Sequence, residues 1–186
     1  MGQRFIVETK AKKMFVMSGN NLVKIIDDVR FGKNGVCDFS KMKEGGNKTP
    51  LGKYNLGIAF GIHDLDIDYP YIKIDDNSYW VDDVNSNFYN CFVQIGDVNN
   101  FGYSYVVSGN KNDFSSAEHL IDYSKSYEYA IFTGYNISNI KGRGSAIFLH
   151  CHGGEFTAGC ISISREDMKW LLKYIDRSLN PVIEIK

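Results

Sequence analysis

Short runs in which apolar and polar residues alternate dominate the beginning of the chain. The segments Arg4–Thr9, Lys13–Met17 and Leu22–Ile26 are rich in β-branched and aromatic residues. Alternation with a period of two predicts half-buried strands. A Gly-Asn-Asn cluster at 19–21 separates the second and third runs, which indicates a hairpin turn. Residues 4–30 therefore predict two or three strands.

Short apolar segments continue along the rest of the chain. A Gly-rich stretch at 32–57 separates the first strands from the later ones. Strand-like pieces are then found at 71–74, 91–95, 103–107, 129–133 and 145–150. The segment 116–120 predicts a short helical turn instead.

The clearest helical pattern lies near the C-terminus. Its apolar residues are spaced as on the core-facing side of a helix, at Met168, Leu171, Leu172, Ile175 and Leu179. Ser164 is placed to cap the first turn, and Asp167 completes a shortened capping box. Asn180-Pro181 predicts the end of this helix, and 182–185 predicts a last strand.

These elements predict a mainly β domain with one substantial C-terminal helix, an α+β fold. No linker rich in Pro, Gly or Ser divides the sequence, so we predict a single domain over residues 1–186. A domain of this size buries roughly 70% of the surface that its unfolded chain exposes, and it requires no disulfide or metal to fold.

Composition and charge narrow the classes of partner. The chain has 21 basic and 22 acidic residues, for a net charge of −1, which argues against nucleic acid or an anionic membrane. No segment approaches 18 consecutive apolar residues, so we predict no transmembrane helix. The N-terminus lacks the apolar region of a signal peptide. Gly46–Thr49 resembles a phosphate loop only superficially, and we predict no cofactor.

Candidate chemistry is concentrated in one segment. The chain has four cysteines, and two of its four histidines, His150 and His152, lie within ten residues of Cys160. A neighbouring imidazole can turn a thiol into the reactive thiolate. Gly159 would let the backbone approach a substrate, and N–H groups there could hold a developing oxyanion. This pattern suits acyl transfer, although a small buried thiol is the simpler interpretation. The spacing matches no common zinc signature, so no metal is predicted.

The same segment resembles the catalytic block of a known family. Gly144–His150, then Thr157–Cys160, then the helix at 168–175 are similar to the L,D-transpeptidase family, the YkuD-like domain. Lys48–Gly52 looks like that family's Thr-Pro-x-Gly segment, and stretches at 80–90, 116–120 and 134–136 resemble a subgroup. The resemblance spans roughly residues 4–185.

The resemblance implies a YkuD-like β-sandwich or barrel and an enzyme of peptidoglycan stem peptides. Members cleave after a diamino acid, release a terminal D-alanine, hold the acyl group on a cysteine and pass it to an amine. Carried over, Cys160 is the nucleophile, and the N–H groups of Gly159 and Cys160 form part of the oxyanion hole. Thr157 orients the imidazole or the loop.

The choice of base stays open between two histidines. His150 matches the family's strand and is favoured, but His152 followed by Gly153 mimics the family's His-Gly pair. Two departures stand out, since Ala158 and Ser162 occupy positions where many members carry His and Arg or Asn. The substrate-binding residues that the resemblance suggests are Asp82, Tyr89, Asn90, His119, Tyr135, Asn136 and Arg143.

The resemblance leaves two other functions open. An L,D-carboxypeptidase would resolve the same acyl-enzyme with water, and a non-catalytic module on this fold would only bind the cell wall. For an enzyme, carbapenem β-lactams are the expected covalent inhibitors. The family works outside the cytoplasmic membrane, at the cell wall. This location implies an export segment missing from the chain, whereas the N-terminus alone is equally consistent with the cytoplasm.

Overall fold

The computed structural model describes residues 2–186, and within them it contains sixteen strands and one α-helix. The strands are β1 Gln3–Glu8, β2 Lys13–Ser18, β3 Asn21–Ile26, β4 Val36–Cys37, β5 Thr49–Pro50, β6 Gly52–Asn55, β7 Ala59–Gly61, β8 Tyr71–Lys73, β9 Ser78–Val81, β10 Phe92–Ile95, β11 Val106–Gly109, β12 Ala117–His119, β13 Ala130–Phe132, β14 Phe148–Cys151, β15 Ile161–Ile163 and β16 Val182–Ile185. The helix α1 is Arg165–Tyr174. Short 3₁₀ turns occupy Phe39–Lys41, Lys111–Asp113, Leu120–Tyr123, Ser126–Glu128 and Arg177–Leu179.

The strands form three main sheets. The N-terminal sheet has the order β3-β2-β1-β16-β6, the central sheet β15-β14-β13-β7-β8, and the outer sheet β11-β10-β9-β12. A two-stranded pair, β4 and β5, stands apart from them. The predicted mainly β fold with one C-terminal helix is confirmed. Because the sheets are not closed, the barrel form of the prediction is wrong and a layered sandwich describes the molecule.

The central sheet is buried on both faces. Side chains alternate along β14, so that Leu149 and Cys151 pack with the N-terminal sheet and α1, while Phe148 packs with the outer sheet. We call these the aliphatic face and the aromatic face. The aliphatic face carries Leu149, Ile131, Ile161 and Ile163, and the aromatic face carries Phe60, Phe132 and Phe148.

The aromatic face is packed around one tryptophan. Trp80 of β9 is fully buried, and its ring centroid lies 4.7 Å from those of Phe132 and Phe148. Rings in tilted and edge-to-face contact are stabilised by their quadrupoles as well as by burial. This packing fixes the outer sheet against the central sheet at the place where β14 carries His150.

The predictions for the terminal elements are mostly confirmed. β1, β2, β3 and β16 match the predicted strands, and Ser164 Oγ accepts a hydrogen bond from the Asp167 N–H at 3.1 Å at the start of α1. The helix ends at Tyr174, however, well before Asn180. The Gln3 amide donates to the Tyr174 carbonyl and accepts from the Asp176 N–H, and so satisfies backbone groups on both sides of the break.

Two other details differ from the sequence predictions. The predicted helical turn at 116–120 is wrong, because Ala117–His119 form β12, which pairs antiparallel with β9. A 3₁₀ turn begins only at Leu120. Leu179, expected on the helix, lies in the separate turn Arg177–Leu179. Among residues 2–186, we find no helix of the length and hydropathy needed to cross a bilayer.

Candidate active site

The thiol of Cys160 lies on the aromatic face at the start of β15. β14 and β15 pair in parallel with Leu149 opposite Ile161, which brings Cys160 beside Phe148. The Phe148 N–H donates to Sγ at 3.2 Å, and the thiol donates to the Ala146 carbonyl at 3.1 Å. Burial, with the Glu118 carboxyl as a second cause, raises the pKa of Cys160 above its ordinary value. The thiol therefore rests in its protonated form.

His150 lies on the same face of β14. Its side chain is 5% exposed, and its ring meets that of Tyr127 edge to face at 5.5 Å. The Nδ1–H donates to the Cys151 carbonyl at 2.6 Å, which leaves Nε2 as the ring nitrogen that can accept a proton. Burial is the main cause that lowers the pKa of His150 to about 4, so the ring is neutral near pH 7.

A single cavity of about 460 Å³ reaches both side chains. Cys160 and His150 line it together with the carboxyl-bearing residues Glu44, Asp82 and Glu118. The segments 145–147, 153–154 and 156–158 complete its wall, together with Tyr123 and Tyr127. The cavity gives a ligand access to a nucleophilic sulfur and a proton acceptor at one place, which is the minimum that acyl transfer requires.

The loop before Cys160 is held by two threonines. Thr157 Oγ1 donates to the Cys160 carbonyl at 2.7 Å and accepts from the Gly159 N–H at 3.1 Å. Thr49 is fully buried, and its hydroxyl lies 2.8 Å from the Gly159 carbonyl and 3.2 Å from that of Cys160. Thr157 thus links the Gly159 N–H to the Cys160 carbonyl. The roles suggested for Thr157 and for the Gly159 N–H stay predictions.

Glycine is required at position 159 by geometry. Its φ is +144°, a value that L side chains rarely adopt. A Cβ there would also lie 2.9 Å from the Lys48 carbonyl oxygen. The backbone of the 48–49 segment therefore packs directly against the turn that presents the thiol.

His152 is placed differently from His150. Its Nδ1 lies 3.0 Å from Ser162 Oγ, and its Nε2 lies 3.6 Å from an Asp28 oxygen without a hydrogen-bond partner. Burial lowers its pKa, and the Arg30 charge adds to this. His152 does not line the cavity, so only His150 of the two candidate bases shares the cavity with Cys160.

Two of the suggested substrate-binding residues act behind the cavity wall. Asn90 is buried, and its Oδ1 accepts from Trp80 Nε1 at 3.0 Å and from the Ala146 N–H at 3.1 Å. It therefore holds Ala146, whose carbonyl accepts the hydrogen bond from the Cys160 thiol. Tyr89 is also fully buried, and its hydroxyl donates to Glu44. Neither side chain lines the cavity, and substrate contact by Tyr89 and Asn90 stays a prediction.

Three further suggested residues fold the loop at 136–145. The Asn136 side chain bonds to the carbonyls of Ile140 and Gly144, and the Tyr135 hydroxyl donates to the Arg143 carbonyl at 2.5 Å. The Arg143 guanidinium donates to the Ser40 carbonyl at 2.6 Å. Tyr135, Asn136 and Arg143 do not line the cavity, and their suggested role in substrate binding stays a prediction.

Of the two remaining suggested residues, Asp82 lines the cavity and His119 does not. His119 does not line the cavity, because its ring stacks on Tyr79 at 4.7 Å and both ring nitrogens are engaged, by Asp122 and by the Asp76 carbonyl. Asp82 does line the cavity, and it accepts from the Ser116 hydroxyl. Its neighbour Asp83 caps a turn instead, where hydrogen bonds from Ser115 lower its pKa to about 2.

The sequence analysis did not identify two carboxyl-bearing residues of this cavity, Glu118 and Glu44. Glu118 projects from β12 and accepts from the Tyr127 hydroxyl at 2.5 Å, and Glu44 comes from the Gly-rich stretch. Burial raises the pKa of Glu118 to about 7. The available signal was the alternation of Ala117, Glu118 and His119, but three residues are too few to separate a strand from a turn.

The other cysteines are not part of the site. All four thiols are free and buried, so the even number of cysteines does not reflect disulfide pairing. Cys37 and Cys151 belong to the core on the aliphatic face, while Cys91 and Cys160 belong to that on the aromatic face. Only Cys160 lines the cavity, and the described residues contain no group of three or more side chains suited to a metal ion.

Comparison with solved structures gave several similar folds at low sequence identity. An L,D-transpeptidase from Stackebrandtia nassauensis is 11% identical, with a TM-score of 0.47, over 100% of this chain and 56% of that one. The helical cell shape determining protein Pgp2 from Campylobacter jejuni is 13% identical, with a TM-score of 0.49, over 100% and 47%. LdtMt1, an LD transpeptidase in complex with imipenem, is 11% identical, with a TM-score of 0.46, over 100% and 59%. This chain thus spans about half the length of these structures.

Comparison with curated proteins gave no match. The scan against protein families matched residues 2–183 to YkuD, described as the L,D-transpeptidase catalytic domain. The match covers almost the whole chain and includes His150 and Cys160, which line one cavity, and Thr49, which bonds to the turn before Cys160. The chain therefore belongs to the YkuD family of L,D-transpeptidase catalytic domains.

Proposed function

We propose that this protein is a peptidoglycan L,D-transpeptidase in which Cys160 is the nucleophile and His150 the base. The observation that carries the proposal is that these two side chains line one cavity, in a chain that belongs to this family. Its place of action is the cell wall, where the stem peptides are found. His152 and the other three thiols have no access to the same cavity.

The reaction begins from a neutral pair. His150 Nε2 takes the thiol proton as Cys160 Sγ attacks the carbonyl carbon of the third stem residue. The proton then passes to the amine of the departing D-alanine, whose bond to the acyl group breaks. An amine of a second stem peptide attacks the thioester and gives its proton to His150. The sulfur leaves and is protonated again, so the enzyme returns to its starting state.

Two stages of the proposed reaction develop negative charge, one on the oxyanion and one on the Cys160 thiolate. With the Gly159 N–H held by Thr157, we assign the Cys160 N–H as the donor for the oxyanion at this turn. Transfer of the thiol proton to a base with a pKa of about 4 is unfavourable in the free enzyme. We therefore expect thiolate formation to coincide with substrate binding rather than to precede it.

The first experiment tests whether a carbapenem acylates the Cys160 thiol. The purified protein is incubated with a carbapenem, and its intact mass is measured. We expect one covalent adduct in the wild type and in Cys151→Ala, and none in Cys160→Ser. Cys151 is a matched control because it lies one strand position from His150 but faces the other core. A wild-type protein that gains no mass would contradict a reactive Cys160 and would favour a wall-binding module.

The second experiment distinguishes an amine acceptor from water as the group that resolves the acyl-enzyme. Purified muropeptides are incubated with the enzyme, and the products are separated and weighed. A cross-linked dimer supports the transpeptidase, whereas a trimmed tripeptide alone supports the L,D-carboxypeptidase. The acyl-enzyme is common to both, so the carbapenem result and the product result are independent.

A further inference from the structure

The backbone of Arg30 is paired with the strand that follows the nucleophile. The Arg30 N–H donates to the Ser162 carbonyl, and the Ser162 N–H donates to the Arg30 carbonyl, both at 3.0 Å. The same segment, 30–33, bonds to the backbone N–H and carbonyl of Thr157 at 3.0 and 2.9 Å. The main chain of Arg30 is therefore fixed relative to Cys160, which lies two residues before Ser162.

The side chain of Arg30 reaches another part of the site. Its Nη1 donates to the Gly154 carbonyl at 2.9 Å, and its Nη2 donates to Asp28 Oδ2 at 2.6 Å. The planar guanidinium can hold both acceptors at once because its donors form a rigid fork. The bond from Arg30 is the main cause that lowers the pKa of Asp28, so that carboxyl group is charged near pH 7. Asp28 thus orients the guanidinium toward Gly154.

The segment that Arg30 holds is a wall of the cavity. We call residues 153–156 the cavity loop, and three of its four residues line the cavity. Within residues 2–186, the bond from Arg30 to the Gly154 carbonyl is the only hydrogen bond that the cavity loop makes. A groove of about 570 Å³ lies on its other side, lined in part by Asp28, Arg30 and Phe156. The loop therefore has space to move, and one side chain restrains it.

The place of the cavity loop decides how the cavity is closed at one end. Gly153 and Ser126 both line the cavity, and a Cβ at position 153 would lie 2.0 Å from Ser126 Oγ. A shift of the loop toward the groove would separate these two residues. The cavity would then be wider, and a ligand would have to order the wall as it binds.

We propose that Arg30, oriented by Asp28, is a positioning residue that holds the cavity loop at a fixed place relative to Cys160. Its backbone pairs with the strand after the nucleophile, and its side chain holds the wall. The inference rests on the proposed function for the identity of the ligand. A preformed wall lowers the cost of ordering on binding. Loss of the Arg30 bond therefore weakens binding of the acyl donor and leaves the reaction at the sulfur unchanged, because other contacts hold Cys160 and His150.

Carbapenem acylation separates binding from chemistry. The rate of adduct formation is measured over a range of carbapenem concentrations, which gives a half-saturating concentration and a limiting rate. We expect Arg30→Gln to raise the half-saturating concentration about 5- to 10-fold, because Arg30 is partly exposed and its bond is worth less than a buried one. The limiting rate should change by less than about twofold. A slower limiting rate at an unchanged half-saturating concentration would overturn the proposal.

Two further variants show whether the fork itself matters. Arg30→Lys keeps the charge, but one ammonium does not reproduce the planar fork, so we expect at least about a threefold rise to remain. Full recovery in Arg30→Lys would overturn the proposal. Arg177→Gln is the matched control, because Arg177 Nη2 donates to the Phe101 carbonyl at 3.0 Å and lies outside the cavity. Its half-saturating concentration should equal that of the wild type, and an equal rise would overturn the proposal. Melting temperatures are measured in parallel.

His152 reports on the same pair from the other side of Asp28. Its Nε2 lies 3.6 Å from Asp28 Oδ2. Burial is the main cause that lowers the pKa of His152, and the Arg30 charge is the second. Asp28 and Asp167 act in the opposite direction. In NMR titrations we therefore expect the pKa of His152 to rise in Arg30→Gln and to fall in Asp28→Asn. Shifts in the same direction, or none, would contradict the arrangement on which the proposal depends.

A final measurement distinguishes this inference from the proposed function. Calorimetry compares the binding of a stem tetrapeptide to Cys160→Ser with and without Arg30→Gln, and we expect binding about 5- to 10-fold weaker with it. Weaker binding in a protein whose wild type forms no carbapenem adduct keeps the role of Arg30 and removes the acyl-transfer function. An adduct that forms at the same half-saturating concentration in wild type and Arg30→Gln leaves the transpeptidase standing and removes the role of Arg30.

Discussion

The two faces of the central sheet show how one element can serve stability on one side and chemistry on the other. The aliphatic face packs Leu149, Ile131 and Ile161 against the N-terminal sheet and α1. The aromatic face packs Phe60, Phe132 and Phe148 around Trp80 and carries the cavity with Cys160 and His150. Both faces are fully buried at their centres, so burial alone does not distinguish them.

The two faces differ in the type of side chain that they carry. Aliphatic chains fill space closely, whereas aromatic rings are rigid, and tyrosine adds a polar tip at the end of an apolar body. Tyr127 uses its ring against His150 and its hydroxyl on Glu118. The cavity lies on this face, and strand alternation places His150 beside it.

The largest expected difference is between His150 of β14 and His152, which follows the end of that strand. We expect His150→Ala to lower kcat/KM by about 10²- to 10⁴-fold, because a general base in acyl transfer contributes on this scale. His152→Ala should retain most activity, since its ring contacts Ser162 outside the cavity. Steady-state kinetics on stem peptides, with the melting temperature measured in parallel, tests this. Greater sensitivity at position 152 would reverse our assignment.

Adjacent positions on β14 separate the two faces directly. Leu149→Ala should cost about 2–5 kcal/mol of unfolding free energy, and Phe148→Ala about 3–5 kcal/mol. Only Phe148→Ala should also slow acylation by a carbapenem, because its ring forms part of the packing beside Cys160. Urea unfolding and the acylation rate, measured well below the midpoint, give the two quantities. Equal acylation rates in both variants would show that the faces are not functionally distinct.

The pH dependence of stability tests whether His150, on the aromatic face, is neutral in the folded protein. The pKa of His150 falls from 6.5 to about 4 in the folded protein, so the unfolded chain binds the proton more tightly. Stability due to this group is complete above pH 6.5 and is lost as the pH falls toward 4, by at most about 3 kcal/mol. His150→Asn should be free of this loss. Unfolding curves of the two proteins that stay parallel between pH 7 and 4 would contradict a buried neutral His150.

Glu118 acts in the opposite direction over part of this range. Its pKa is raised from 4.5 to about 7, so its contribution is complete below pH 4.5 and is lost as the pH rises through 7. Because wild type and His150→Asn both contain Glu118, the difference between them isolates the histidine. This comparison is the reason to measure the variant and not the wild type alone.

The smallest effect is expected at the helix on the aliphatic side. Ser164→Ala removes the cap of α1 and should cost about 1 kcal/mol of unfolding free energy. Acylation by a carbapenem should be unchanged, because α1 contributes no residue to the cavity. Thermal unfolding and the acylation rate are the measurements. A marked loss of acylation at full folding would indicate that the aliphatic side reaches the site.

Local signals explain which predictions from the sequence were correct. The first three strands and the Ser164 cap depend on neighbouring residues, so their pattern is visible in the sequence. At the early end of the helix, the partner of the backbone groups is Gln3, which is distant in sequence and carries no signal at 174. Sheet order and the open, layered form likewise depend on long-range pairing.

The candidate site shows the same difference between local signals and long-range contacts. The spacing of His150 and Cys160 within one segment let the sequence place both candidates in a common block. Asn90 and Asn136, however, could be interpreted as binding residues because a polar side chain that bonds backbone looks the same in sequence as one that faces a ligand. Glu44 and Glu118 converge only through folding, and neither carboxyl group was singled out in the sequence.

The two hydrogen bonds at Cys160 Sγ have a consequence for the protein's exposure to oxidants. Peroxides and simple alkylating agents react with thiolates, and this sulfur rests protonated between the Phe148 N–H and the Ala146 carbonyl. A small reagent that does not fill the cavity does not promote removal of the Cys160 thiol proton. We therefore expect Cys160 to resist sulfenic acid formation and yet to react with an acyl donor that fits. Chemical selectivity would then come from a nucleophile that stays dormant until its own substrate arrives.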